Sequence, residues 1–463
     1  MKVRKPSVGP LVGGCDQNAV RIFCRGDMLI KGGRIRRCHG VLQWRPQGAP
    51  AWAGTRYFRL NLNFDMSGVA ILRGLTPEAT YEYRVGWIVD EADTEDLALD
   101  NDLDWSSLSS QTFTVAAADG ARSRSVVAGS CRYLLKLLGG AFFDDRGDKA
   151  FRSILRLRDL APLHQLIMVG DQIYADDLGF LNPDTDVEKF YARYREVFTQ
   201  PYIRQLMSLV PTYMTLDDHE IENDWPKWAD HRDLQVKFPA AMHAYNTYQL
   251  SHSPLVTLLG DRLEAMPRHN WYHYQDGCMK VFVLDTRTER DLASAPPRII
   301  GQVQMAALKR WLTTDADHVK VVVSSVPVFP DYESPSVDKW SGFIAQRDEL
   351  IEFIFAEEVR KVVFLSGDVH ASMSVELSSA LEPVKKIISI VSSSFFWPYP
   401  HPSSRQFQLD GRLASERGDF RIAGGAGVMA EDNFAWLDIA PDTVTVRFHA
   451  RKGDLLTEKV HRF

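Results

Sequence analysis

The chain has 463 residues, 45% of them hydrophobic and 25% charged, with 54 Lys+Arg against 60 Asp+Glu and a formal charge of −6. At roughly 150 residues per domain this length implies more than one domain, and the apolar and aromatic content excludes a disordered chain. The negative balance argues against a dedicated nucleic-acid or anionic-membrane binder.

The N-terminus, MKVRKPSVGPLVGG, has basic residues without a following apolar run and without a twin-Arg pair, so no secretory signal is expected. No run of about 18 apolar residues occurs, so no membrane span is expected either. The cysteines Cys15, Cys24, Cys38, Cys131 and Cys278 are too scattered for a disulfide framework or a CxxC cage. A reducing, cytoplasmic setting is the resulting expectation.

From Val20 to Val115 the chain shows short β-branched and aromatic runs, AVRIFC, VLQWR, YFRLNLNF, GVAILRGL, TYEYRVGWI and QTFTV, broken by Gly, Pro and Asp. Such spacing predicts an antiparallel sandwich. Within GLTPEATYEYRV, Tyr81 and Tyr83 read as structural, in the manner of a tyrosine corner. Residues 116–125, AAADGARSRS, read as a linker. The expected division is therefore residues 1–119, a fibronectin/Ig-like all-β sandwich, and residues 120–463, an α/β layered domain.

After the linker the pattern changes. SVVAGS, QLIMVGD, TYMTLDD, MKVFVLDT, VKVVVSSVPV, KVVFLSGD and KIISIVSSS are continuous apolar runs ending in polar residues, with amphipathic stretches such as KAFRSILRLRDLAP between some of them. Runs of this kind predict strands covered on both faces, with ligands held beyond their carboxyl ends. The tail TVTVRFHARKGDLLTEKV predicts an edge hairpin.

Five strand ends carry the chemistry: VVAGSCRY, IMVGDQIYADD, TLDDHEIEND, FVLDTRTER and FLSGDVHAS. Carboxylates crowd together only where a cation offsets their repulsion. Cys131, Asp171, Tyr174, Asp217, Asp218, His219, Asp368 and His370 offer enough O, N and S donors for two metals. Asp368 and His370, two apart, are expected to face one way along an extended segment. Blander readings exist for each residue: Cys131 as a small buried side chain, Tyr174 packed beneath its turn, Arg132 paired with a carboxylate of DDRGD, and Asp285 with Arg287 as an ion pair or support for the ligands. His401 reads equally well as pocket wall or as loop packing.

GSCRY, GDQIYAD, DDHEIEND, LDTRTE and SGDVHAS, in this order, make the chain resemble the alkaline phosphatase D (PhoD-like) family of calcineurin-like metallophosphoesterases. The resemblance implies a four-layer core of two packed mixed sheets flanked by helices, preceded by the sandwich, and a dinuclear metal site. It implies Cys131, Asp171, Tyr174, Asp368 and His370 as ligands of a first metal, iron, with Asp171 bridging. The second site is oxygen-rich and implies calcium, with manganese, zinc or magnesium as alternatives. Among Asp217, Asp218 and Asn223 the spacing does not choose its ligand. His219 takes a general-acid or phosphate-contact role and Arg132 a clamp on phosphate oxygens.

The function so implied is hydrolysis of a small phosphate ester, monoester or diester, by a metal-activated water. The alternatives are a metallohydrolase acting on a lactone or amide carbon, and a non-enzymatic binding protein with a structural metal.

Overall fold

The structure is a computed structural model describing every residue except 98–101, 135, 138–141, 144, 177–183, 260–261, 266, 333–336 and 381–383. Strands β1 (Val8–Cys15), β2 (Ala19–Arg25), β3 (Cys38–Pro46), β4 (Gly54–Arg59), β5 (Ser67–Arg73), β6 (Thr80–Val89) and β7 (Gln111–Thr114) form two antiparallel sheets, ordered β1-β2-β5 and β4-β3-β6-β7. Side chains alternate across β2. Val20, Ile22 and Cys24 enter the core between these sheets with Leu42, Tyr83 and Phe113, while Phe23 points the other way, into helices of the second half. Thr76 N–H donates to the Tyr81 hydroxyl five residues on, at 3.1 Å, a corner of the kind expected. Tyr83 instead donates to the Ser208 carbonyl at 2.7 Å, tying this half to the next.

The stretch read as a linker is docked, not free. Ala117 N–H donates to the Asp276 carboxylate at 2.8 Å, and Arg124 pairs with the same carboxylate at 2.6 Å.

Two larger sheets follow. Strands β8 (Arg124–Gly129), β9 (Gln165–Val169) and β10 (Thr212–Thr215) are parallel, and β19 (Asn433–Ala440), β20 (Thr443–Ala450) and β21 (Leu455–Arg462) extend the sheet antiparallel in the order β10-β9-β8-β19-β20-β21. The final hairpin forms the edge, as its sequence suggests. The second sheet has the order β11-β12-β13-β14-β16-β15-β18-β17. Its strands are β11 (Tyr272–Asp276), β12 (Met279–Val283), β13 (Val319–Ser324), β14 (Val362–Ser366), β15 (Ser372–Ser379), β16 (Lys386–Val391), β17 (Gly411–Arg412) and β18 (Phe420–Met429).

Continuous apolar strands serve two cores at once. Val126, Ala128, Ile167 and Val169 meet Val281, Val283, Val363 and Leu365 between the sheets. Val127, Leu166 and Met168 face α1 (Lys149–Arg158), α2 (Val187–Phe198), α3 (Pro201–Met207) and α4 (Phe238–Tyr248). Phe282 and Phe364 face α5 (Gln302–Leu312) and α6 (Ile344–Ala356). The result is four layers: helix, mixed sheet, mixed sheet, helix. Each buried Val or Leu contributes about 1.5–3 kcal/mol, so this double burial explains why these strands carry no polar alternation. Among the described residues no helix is long and apolar enough to cross a membrane.

His252 lies at the seam between the halves. Its Nε2–H donates to the Tyr248 carbonyl at 3.0 Å and its Nδ1 has no partner, while a side chain at Gly13 would meet its carbonyl at 2.4 Å. Burial pushes its pKa down to about 4. The unfolded chain, with a His pKa near 6.5, then binds a proton that the fold rejects, so stability is complete above that value and falls as pH drops toward 4. The loss attributable to His252 is up to about 3 kcal/mol. Urea midpoints of the parent and His252→Gln between pH 7 and pH 4 are expected to show a shallower acid slope for the variant; parallel slopes would reject the assignment.

Candidate metal centre

The parallel strands deliver the site. β8 runs into Ser130 and Cys131, β9 into Gly170 and Asp171, β10 into residues 217–220, β12 into Arg287, and β14 into Asp368 and His370. All lie beyond carboxyl ends, where open α/β sheets hold ligands. Gly170 has φ 91°, and a Cβ there would sit 2.5 Å from that of Asp217, so only glycine lets the β9 and β10 turns meet.

Cys131, Asp171, Asp368 and His370 all adopt left-handed backbone, with φ of 55°, 55°, 69° and 52°. Such residues cost on the order of 1–3 kcal/mol each and persist where their surroundings dictate them, commonly at functional sites. The expected extended segment at Asp368 and His370 is thus corrected: the strand ends at Ser366 and a turn aims both side chains. Glu220 supplies much of the restraint. Its carboxylate accepts from the backbone N–H of Asp171, Gln172 and Asp217 at 3.2, 2.6 and 2.9 Å. Ser393 Oγ accepts from His370 N–H at 3.0 Å and donates to Cys131 Sγ at 3.1 Å.

Cys131, Asp171 and His370 bring potential ligand atoms within 4.8 Å of one another, and so do Asp171, Asp218 and His219. Asp171 belongs to both groups. The Tyr174 hydroxyl donates to Asp171 Oδ2 at 3.2 Å, and Cys131 Sγ lies 3.4 Å from the same oxygen. Asp217, Asp218 and Asp368 form a third group, and Asp218, Asp224 and Asp338 a fourth. Burial, with neighbouring anions, raises the Asp171, Cys131 and Tyr174 pKa values well above their ordinary ranges. It raises Asp217 to about 8 and Asp368 to about 6, and drives His370 well below its usual value. Protein groups alone therefore do not sustain the full negative charge here; a cation would. Asp171 Oδ1 and His370 Nε2 are buried without partners. These unpartnered atoms, with a thiol and a phenol beside them, fit a metal.

Two cations are already present. Fully buried Arg287 sends Nε to Asp217 Oδ1 at 2.5 Å and another nitrogen to Asp338, and its third lies 3.4 Å from Asp218. Lys339 Nζ sits 2.8 Å from Asp338 and 2.9 Å from Asp368. Arg287 thus supports the acidic cluster, while Asp285, expected as its partner, caps the turn by accepting from the N–H groups of Arg287 and Thr288 at 3.1 and 2.8 Å. His219 Nδ1 bonds Asp176 at 2.9 Å. Burial alone would keep this imidazole neutral, but Asp176, with Asp218 and Asp171, outweighs it and raises its pKa.

Arg132 makes the carboxylate pairing that its blander reading expects. Arg132 is 1% exposed, its guanidinium donates to the Val197 carbonyl at 3.1 Å and pairs with Asp148 of DDRGD at 3.5 Å, over the Phe151 ring. These partners hold it as a buried ion pair, with Nε left without a partner. Asn223 is exposed and its backbone N–H donates to Asp176 Oδ2 at 3.0 Å. His401 donates from Nδ1 to the His370 carbonyl at 2.7 Å and its Nε2 lies 3.4 Å from Asp432, so it braces the loop against the His370 backbone. Glu220 and Asp176 stand in DDHE and YADD, beside the expected ligands, and the sequence pattern alone gives them no role. Asp338 and Lys339 had no strand-end signal.

Two packed mixed sheets with buried thiol, phenol, imidazole and carboxylate donors at their strand ends define a metallophosphoesterase-like protein. A family model for PhoD-like phosphatases matches residues 138–416, and the chain belongs to that family. Cys131 precedes the matched segment. The chain is similar to alkaline phosphatase D of Bacillus subtilis (strain 168), 28% identical over 219 residues, which cover 42% of this chain and 36% of that protein. The match thus spans about a third of that relative's length. A solved structure of PhoD shares the fold, with a TM-score of 0.73 at 17% identity over 99% of this chain and 89% of that one.

Proposed function

We propose that this protein is a metal-dependent hydrolase of phosphate esters, acting on monoesters, diesters or both through a dinuclear centre. The observation that carries this reading is the convergence of two buried donor groups on one carboxylate, Asp171. Cys131, Asp171, Tyr174, Asp368 and His370 would hold the first cation, iron. Asp171 and Asp218, with Asp217 or Asn223, would hold the second, calcium. Residues 1–119 form a fibronectin/Ig-like domain in this reading, and residues 120–463 the catalytic one.

Bound cations would supply Lewis acidity and charge neutralisation for in-line displacement at phosphorus. The chain's own residues do the rest. Arg287 and Lys339 fix the carboxylates of Asp217, Asp338 and Asp368 in place. Asp176 engages His219 Nδ1, leaving Nε2 to carry the proton that the departing oxygen takes.

His219→Ala is expected to keep its metal content and lose about a hundredfold or more in kcat, most for esters whose alcohols leave poorly. Loss of metal in that variant would make His219 a ligand instead.

The test of the reading is product release from an aryl phosphate monoester and a bis-aryl phosphate diester by protein reconstituted with iron plus calcium, and separately with manganese. Turnover abolished by chelator is expected. No turnover of either ester at full metal occupancy would overturn the reading in favour of a carbon-centred hydrolase or a binding protein.

A further inference from the structure

Beside the donor set stands a group of aromatic rings that phosphoryl transfer itself does not require. Trp397 lies flat on the His370 imidazole, centroids 3.6 Å apart and planes 18° apart. Tyr133 meets Tyr174 edge-on at 5.0 Å and Trp397 at 6.0 Å. Tyr399 closes the group, 5.1 Å from Trp397 and 6.4 Å from Tyr133.

Packing accounts for part of this. Trp397 orients His370, and its backbone N–H is held by Asp432 at 2.9 Å; Tyr133 is 5% exposed and belongs to the interior. Tyr399 is different. It is 45% exposed, and it lies between Pro398 and Pro400, whose fixed φ angles stiffen the loop that carries it. A large exposed ring on a stiffened loop, continuous with rings that touch candidate metal ligands, is a stacking surface already in place.

The group also adjoins His219. Tyr174 has His219 on one side, centroids 4.2 Å apart, and Trp397 at 6.2 Å. An alcohol that takes its proton from His219 therefore departs beside Tyr174, next to this wall. We propose that Tyr399, with the half-buried Trp397 beside it, binds the organic part of the substrate, which is a phosphate ester bearing a planar aromatic or heteroaromatic group. This rests on the phosphoester reading above and names its substrate class.

The test compares kcat/KM of the metal-loaded parent, Tyr399→Ala and Tyr399→Phe on phenyl phosphate, adenosine 5′-monophosphate and glycerol phosphate. Dividing each value by that for glycerol phosphate removes any general effect on the chemistry. Tyr399→Ala is expected to lower this ratio roughly five- to tenfold, chiefly through KM, and Tyr399→Phe to retain it. A drop for phenyl phosphate places the ring at the leaving oxygen; a drop for the nucleotide places it one sugar away. Unchanged ratios for both would overturn the proposal.

Binding of phenylphosphonate against methylphosphonate to the metal-loaded parent reads ring recognition without turnover. A preference for phenylphosphonate in a protein that hydrolyses none of the esters would reject the hydrolase reading while keeping the aromatic site. No preference would reject the aromatic site.

Discussion

Asp171→Asn is expected to abolish turnover and to lower the content of both metals while leaving the metal-free fold as stable as the parent. Asp171 is the residue common to the group containing Cys131 and His370 and the group containing Asp218 and His219. One of its oxygens lies against the Tyr174 hydroxyl and the Cys131 sulfur, and the other has no partner. Asparagine keeps that shape but supplies no negative charge to hold two cations. Losing even an outer partner of a metal ligand typically costs 10–100-fold, so the loss of a shared ligand should exceed about a hundredfold in kcat/KM. Stability separates this from misfolding. Burial raises the carboxyl pKa of Asp171 well above its ordinary value, so the metal-free fold favours the neutral acid, and a neutral amide of the same shape carries no such desolvation cost. Elemental analysis, kinetics and thermal melts on one preparation check all three parts. Retained activity would remove Asp171 from the bridging position, and a collapsed metal-free melt would make its role structural.

The legibility of the site in the sequence followed from its geometry. Parallel strands covered on both faces must be continuously apolar, so the first polar residue after each run marks the carboxyl end, and in this topology those ends are where ligands gather. Cys131, Asp171, Asp218 and Asp368 were visible for that reason. Arg132 shows the limit of such reading. Adjacency to Cys131 suggested a shared task, but Cys131 is in left-handed backbone and Arg132 is turned into the helical layer, to Asp148 and Val197. Sequence neighbours share a face only when the backbone between them is known. Asp338 and Lys339 were illegible for another reason. They precede the short helical turn at Trp340–Gly342 and reach the cluster through the fold, to meet Arg287 and Asp368. Likewise, the composition of residues 116–125 suggested a free linker because nothing local announces that Asp276 takes both the Ala117 amide and the Arg124 guanidinium.

Arg287→Ala is expected to destabilise the metal-free protein by about 3–5 kcal/mol, the usual cost of removing one partner from a buried ionic network. Its guanidinium is fully buried and serves Asp217 and Asp338 directly, with Asp218 and Asp368 at 3.4 and 4.0 Å. Removing it leaves these carboxylates facing one another at low dielectric. Arg287→Lys restores a charge but not the planar fork that reaches two carboxylates at once, and is expected to recover only part of the loss. Added dication provides the decisive comparison. If the carboxylate cluster lacks positive charge without metal, a metal binding only the folded state at a hundred times its Kd should return about 2.7 kcal/mol, and the stabilisation by metal should be larger in Arg287→Ala than in the parent. Urea unfolding with and without metal measures both. An alanine variant as stable as the parent without metal would show that the carboxylates had already neutralised themselves by protonation, in line with the raised pKa of Asp217, and Arg287 would then be a guest of the acidic cluster instead of its keystone.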